Sequence, residues 1–188
     1  MYQRAIIVLT APSGAGKTTI AHRVLDTLNT LRFSVSATTR APRPHESDGT
    51  DYHFLTPEAF RAQIDAGELL EYEEVYPDQF YGTLKKEVEQ SSPEAPVLLD
   101  IDVRGATNVK ETYGDEALVL FIAPPSFEVL KERLTGRGTE DSEAVSSRLQ
   151  RARVEMTRAD DFDAIVVNDD LDTAVEETLT HIQEFIQS

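Results

Sequence analysis

The stretch APSGAGKTT, residues 11 to 19, puts a lysine and two threonines directly behind two glycines. Successive backbone N–H groups at the start of a helix make a concave anion site, and the helix dipole adds to it. Gly14 and Gly16 let the backbone approach a phosphate closely and take positive φ. Lys17 then supplies a compact charge for the outer phosphates of a nucleoside triphosphate, and Thr18 a hydroxyl for Mg²⁺. The spacing is that of G-x-x-x-x-G-K-[ST], except that Ala11 stands in the first glycine position. Ala11 falls where a preceding strand ends, so a negative φ is acceptable there and no phosphate need come close. The competing reading is a glycine-rich turn with an incidental lysine. Against it stand the apolar run before the loop, RAIIVLT, and the helical pattern after it.

One carboxylate and a set of cations extend this chemistry. Asp100 closes the apolar run PVLLD, where a strand-end carboxylate holds Mg²⁺, often through water; the bland reading is a turn aspartate. Six of the 18 basic residues fall between Arg133 and Arg158. If Val145, Leu149, Ala152 and Met156 face inward on a helix, Arg148 borders the apolar stripe. Arg151 lies farther out, with Glu155 at i+4, and reads as a structural pair. Arg40 and Arg43, in TTRAPRP, offer planar forks suited to phosphate oxygens. Taken singly, Glu71 reads as a solvated strand residue, and Thr83 and Asp102 as helix caps. His22, His45, His53 and His181 show no metal-ligand spacing.

These groups need a frame to hold them. Ile6 to Leu9 is a continuous apolar run, as expected of a strand covered on both faces. Ile20, Val24, Leu28 and Leu31 then recur at helical spacing. PVLLD, ALVLFIA and AIVVN are each short, apolar and followed by a helical pattern, with Ser126 as the cap before Phe127. The last helix is predicted from about residue 172 to 186, with Val175, Leu179, Ile182 and Ile186 inward. Strands alternating with helices predict an α/β fold, a parallel sheet flanked by helices that binds ligands beyond the strands' carboxyl ends. Two stretches break the rhythm. From residue 34 to about 92 the chain reads as a small inserted subdomain, with a helix capped by Thr56, opened by Pro57 and stopped at Gly67, then strand-like LLEYEEVY. GRGTED reads as a loop between two helices.

Bulk properties bound what remains. At 188 residues the chain fits one domain able to bury a core. Its 40% hydrophobic and 28% charged residues are those of an ordinary globular protein. A formal charge of −16 opposes reading a nucleic-acid backbone and fits a solvated, mutually repelling surface or adaptation to salt. Without cysteine, disulfides and thiolate metal sites are excluded. The run Ala5 to Leu9 is shorter than the ~7–15-residue core of a signal peptide. No run approaches the ~18 apolar residues of a membrane span. The expectation is a cytoplasmic enzyme or binding protein without nucleic-acid or membrane partners.

APSGAGKTT, SVSATTRAPRP, DYHF, QFYGT, LLDIDVRGA, FIAPPS, RLTGRGTEDSE and VVNDD follow one another across nearly the whole chain. Each is weak alone; as a set they closely resemble the guanylate kinases. The resemblance implies a P-loop NTPase fold with a core (about 1–33, 93–125 and 160–188), a GMP-binding subdomain (about 34–92) and a lid (about 126–159). It implies transfer of phosphate from ATP to GMP or dGMP with Mg²⁺, in purine nucleotide metabolism, by a monomer or homodimer. ATP falls to Ser13, Gly14, Ala15, Gly16, Lys17, Thr18, Thr19 and Asn168, the last as a contact to adenine, though Asn168 equally reads as a helix cap. The metal falls to Thr18 and Asp100. GMP falls to Ser36, Arg40, Arg43, Tyr52, Glu71, Tyr81, Thr83 and Asp102, and catalysis to Lys17, Arg133, Arg137 and Arg148. The family commonly carries Ala or Gly at the first loop position, which covers Ala11.

Guanine chemistry fits the residues matched. A carboxylate accepts two parallel hydrogen bonds from guanine N1–H and N2–H₂, and a hydroxyl donates to O6. Adenine would set a lone pair against Glu71. His45 departs from the family's usual glycine, and YPDQFYG carries extra length. Two alternatives stay open. A non-catalytic guanylate-kinase-like binding module typically lacks the loop lysine or lid arginines. A ribose-phosphate phosphokinase of the same fold lacks the joint TTR-PR, Glu71, YGT and DID set.

Overall fold

In the computed structural model, whose described residues are 4–135 and 142–188, the run IIVLT becomes β1 (Ile6–Thr10) with every side chain buried. A strand apolar on both faces must lie inside a sheet covered by helices, which is where β1 lies. The chain continues through α1 (Lys17–Thr27), β2 (Arg32–Phe33), β3 (Ala37–Thr38), β4 (His53–Phe54), α2 (Pro57–Asp65), β5 (Leu69–Tyr76), β6 (Gln79–Leu84) and α3 (Lys85–Glu89). Then come β7 (Val97–Asp100), α4 (Val103–Tyr113), β8 (Ala117–Ala123), α5 (Phe127–Thr135), α6 (Ser142–Met156), β9 (Ala164–Val167) and α7 (Leu171–Gln187).

The main sheet is parallel, in the order β2-β7-β1-β8-β9. Ile7, Leu9, Leu98 and Leu120 pack on one face against α1 and α7, through Ile20, Val24 and Ile182. Ile6, Val8, Leu99 and Val119 point to the other, against Ala106 and Val109 of α4. The strands next in sequence lie on opposite sides of β1, and the crevice this opens at their carboxyl ends receives the glycine loop after β1 and Asp100 at the end of β7. Leu28 and Leu31 fall past the end of α1. A turn joining Leu31 N–H to Leu28 O folds both back onto the same core, so the apolar spacing outlasts the helix.

A second, smaller sheet has the order β4-β3-β6-β5 and mixed direction. Phe60 of α2 is fully buried beneath it, stacked on Phe80 at 5.2 Å. Thr56 caps α2 by accepting the Ala59 N–H, with Pro57 in the first turn, as the residue types dictate. The helices α5 and α6 pair through Leu130, Leu134, Leu149, Ala152 and Met156. Among the described residues no helix is long and apolar enough to cross a membrane.

Candidate active site

The loop between β1 and α1 gets its shape from its glycines. Gly14 and Gly16 take φ of 91° and 96°, which a side chain would resist. Ala11 does not need that freedom: among the described residues only Asp78 is a non-glycine with positive φ. At Gly16 space is a second constraint, since a Cβ there would lie 2.3 Å from Asn168 Nδ2. Asn168, one residue past β9, donates from Nδ2 to Ala15 O at 2.7 Å. Arg133 of α5 donates to Asn168 O at 3.0 Å and reaches Ala15 O at 3.5 Å. The underside of the loop is thereby braced by β9 and α5. Asn168 is not the cap of α7; that is Asp170, whose carboxylate accepts the Thr173 N–H. Asn168 and Arg133 line a cavity of about 360 Å³ with Gly14, Gly16, Thr19 and Asp169.

On the upper side a single carboxylate gathers the reactive groups. Asp100 Oδ1 lies 2.5 Å from Lys17 Nζ, and its Oδ2 accepts the Thr18 hydroxyl at 2.9 Å. Lys17 also donates to Ile101 O at 2.7 Å. Arg148 of α6 reaches across to Ser13 Oγ at 2.7 Å. Ser13, Lys17, Thr18, Asp100 and Arg148 border a cavity of about 420 Å³ over the loop. Among the described residues no group of three or more His, Asp or Glu forms a metal cage. The Thr18 hydroxyl and Asp100 carboxylate are hard oxygens side by side, the donor set of a Mg²⁺ held mainly by phosphates and water.

A second cavity, of about 340 Å³, shares Lys17, Asp100, Asp102 and Arg151 with the first and runs on to Ser36, Tyr52, Glu71 and Tyr81. Glu71 and Thr83 are register partners across β5 and β6, which brings the Thr83 hydroxyl within 2.6 Å of Glu71 Oε1. Thr83 is fully buried behind Glu71, not in the lining. Burial pushes the Glu71 carboxyl above its usual range, against the Thr83 hydrogen bond and with help from Asp102. Asp102 caps α4, its Oδ1 accepting the Gly105 N–H at 2.8 Å. A Cβ on Gly105 would lie 3.0 Å from Glu71 Oε2 and 3.3 Å from Asp102 Oδ1, so glycine leaves room for both carboxylates at the start of α4.

The arginines of TTRAPRP differ in placement. Arg40 grips Glu46 with both terminal nitrogens, at 2.8 and 2.9 Å, while its Nε donates to Tyr81 Oη at 3.1 Å. Its guanidinium lies 5.3 Å over the Tyr52 ring, whose hydroxyl burial pushes up in pKa. The Arg43 side chain is 64% exposed and 3.9 Å from Glu46. Glu46 went unnoticed in the sequence. A turn from Arg43 to Glu46 swings it back, and Arg40, followed by the Arg43 N–H, holds its carboxyl down to about 2. The signal is one of three acids in ESDGTD, six residues after an arginine, which means little until the turn is known.

Arg151 makes the expected pair and more. Its Nε does pair with Glu155 at 2.8 Å, as the i+4 spacing predicts. The same guanidinium also donates to Asp102 Oδ2 at 2.9 Å and reaches Glu73 Oε2 at 3.4 Å. The helix crosses the mouth of the cleft, so a side chain away from the apolar stripe borders the site while about half of it stays in water. Arg137 lies outside the described residues.

A family model described as guanylate kinase matches residues 3–188. The guanylate kinase of Salinibacter ruber is 69% identical over 188 residues, covering 100% of both chains. That of Bacteroides thetaiotaomicron is 50% identical over 182 residues, covering 96% of this chain and 89% of its own. Among solved structures, a guanylate kinase from Anaplasma phagocytophilum matches with a TM-score of 0.79 at 30% identity, covering 100% of this chain and 90% of that one. A gluconokinase from Sinorhizobium meliloti is similar in fold alone, with a TM-score of 0.55 at 20% identity over 100% of this chain and 96% of that one.

Proposed function

The chain belongs to the guanylate kinase family and phosphorylates GMP with ATP as donor; on that premise we propose how its own residues divide the work. One observation carries the division: two cavities meet at Lys17, Asp100 and Asp102, so a donor and an acceptor entering from opposite sides face each other there. The ATP phosphates lie in the nest of Ser13 to Thr19, and Lys17 balances the outer charge. The cavity beside Arg133 and Asn168 takes the adenosine end, with Asn168 acting chiefly as a brace for the loop. Thr18 and Asp100 would hold Mg²⁺, which would supply charge neutralisation for the phosphates being transferred.

On the acceptor side Arg40, Arg43, Tyr52 and Tyr81 take the GMP phosphate, with Glu46 fixing the Arg40 fork. Glu71 accepts the N1–H and N2–H₂ pair, Asp102 borders the amino group, and Ser36, which lines the cavity, supplies the hydroxyl donor that O6 needs, while Thr83, buried behind Glu71, donates to its carboxylate and orients it. Adenine leaves Glu71 facing a lone pair, a mismatch that discriminates by orders of magnitude. No general base is required, because a loose phosphoryl transfer is catalysed by positioning and by cations. Lys17, Arg148 and Arg137 are those cations, while Arg133, bonded to Ala15 O and Asn168 O, serves catalysis by bracing the loop. The second sheet and its flanks (about 34–92) form the GMP-binding subdomain, and α5 with α6 (about 126–159) the lid. An acceptor panel with ATP–Mg²⁺ and an ADP readout tests this: GMP and dGMP are turned over, and AMP, UMP, CMP and ribose phosphates are not. Equal use of AMP and GMP would overturn the assignment of Glu71.

A further inference from the structure

Two arginines one turn apart on α6 address opposite sides of the cleft. Arg148 turns to Ser13 on the phosphate loop, and Arg151 to Asp102 and Glu73 beside the acceptor cavity. We propose that Arg151 is a positioning residue that ties the lid helix to the guanine-reading carboxylates and sets acceptor affinity and base selectivity, not the rate of transfer. The proposal rests on the assignment of Glu71 and Asp102 to guanine made above.

Three features carry it. Arg151 lines the donor-side cavity and the acceptor cavity alike, a place it shares with Lys17, Asp100 and Asp102. Its charge is matched by three carboxylates, Asp102, Glu73 and Glu155, which leaves no net charge for a phosphoryl group in flight. Lastly, Asp102 is held at both oxygens, Oδ1 by the Gly105 N–H and Oδ2 by Arg151, so its remaining lone pairs are fixed relative to Glu71. A preorganised acceptor discriminates between bases better than a swinging one. Arg151 also offsets the repulsion that Glu71, Glu73 and Asp102 together exert on an incoming nucleotide dianion. A plain surface pair with Glu155 would account for the Nε contact alone.

The test compares R151A, R151K, D102N, E71Q and the R151A/D102N double variant, with GMP and with IMP, which lacks the 2-amino group. Melting temperatures verify folding. R151A is expected to raise KM for GMP about tenfold while kcat stays within about twofold and KM for ATP is unchanged. The preference for GMP over IMP falls with it, and R151K restores part of both. In the D102N background R151A adds little, because the pair acts as one unit. A loss confined to kcat would make Arg151 a transition-state cation, and additive effects with D102N would remove the link to Asp102; either result overturns the proposal. If E71Q and D102N raise KM for GMP while R151A does not, the coupling alone fails. If none of the three does, the guanine reading itself has failed.

Discussion

The donor side and the acceptor side of this cleft are built by different means. The donor side is built on nine consecutive residues, and two positive-φ glycines account for their shape. The acceptor side draws on residues from Ser36 to Asp102, on two sheets, and is bounded by a helix side chain some fifty positions later. Backbone sites tolerate side-chain change where the backbone does not require glycine, whereas side-chain sites fail one contact at a time.

The largest expected effect tests the donor side. Lys17→Ala should lower turnover by about a thousandfold or more in a coupled ADP assay, with the melting temperature little changed, because a preorganised charge is lost and not packing. Near-normal turnover would break the loop assignment. Next comes the acceptor. Glu71→Gln should weaken GMP by about a hundredfold while sparing ATP, since the amide cannot accept both guanine donors. Because the folded carboxyl titrates above its usual 4.5, its ionisation opposes folding as pH rises above that value. The same variant should therefore melt higher at neutral pH, and the gain should vanish below pH 4.5. In the wild type, KM for GMP should climb on acidification earlier than for an ordinary glutamate.

A third variant, Glu46→Gln, should raise KM for GMP about tenfold by loosening the Arg40 fork. Its carboxyl is held down to about 2 from 4.5, so the stability it contributes is present above pH 4.5 and lost as pH falls toward 2. Melting curves of wild type and variant should converge across that window. The smallest effect belongs to Ala11→Gly. Activity should stay within about twofold, with a destabilisation of about 0.5–1 kcal/mol from added unfolded-state freedom. A large change in activity would show that the first loop position is more than a strand end.

Legibility in the sequence follows the same divide. LLEYEEVY matches β5 to the residue, and Thr56 and Ser126 cap the helices they precede, because strand runs and caps are local. Lys17, Thr18 and Asp100 were paired in advance by motif and strand end, and they converge. Glu46 and Arg151 were not legible as site residues. A helical wheel gives a side chain's azimuth on its own helix and nothing about what that helix crosses. Asn168 is not the cap its position after a strand suggests; its amide joins the loop backbone, a contact set by how β9 ends beside β8.

The acids beside the phosphate-assigned cations bear on how the enzyme responds to its medium. Lys17 sits against Asp100, and Arg40 against Glu46, each within hydrogen-bond reach. A phosphate reaching such a cation exchanges one short pair for another and recruits little counter-ion from the bulk. Dissolved salt, which screens over distances of about 8–10 Å, has small leverage on partners already in contact. Simple inorganic anions, bringing neither a metal nor a base, meet a guarded charge and compete poorly for it.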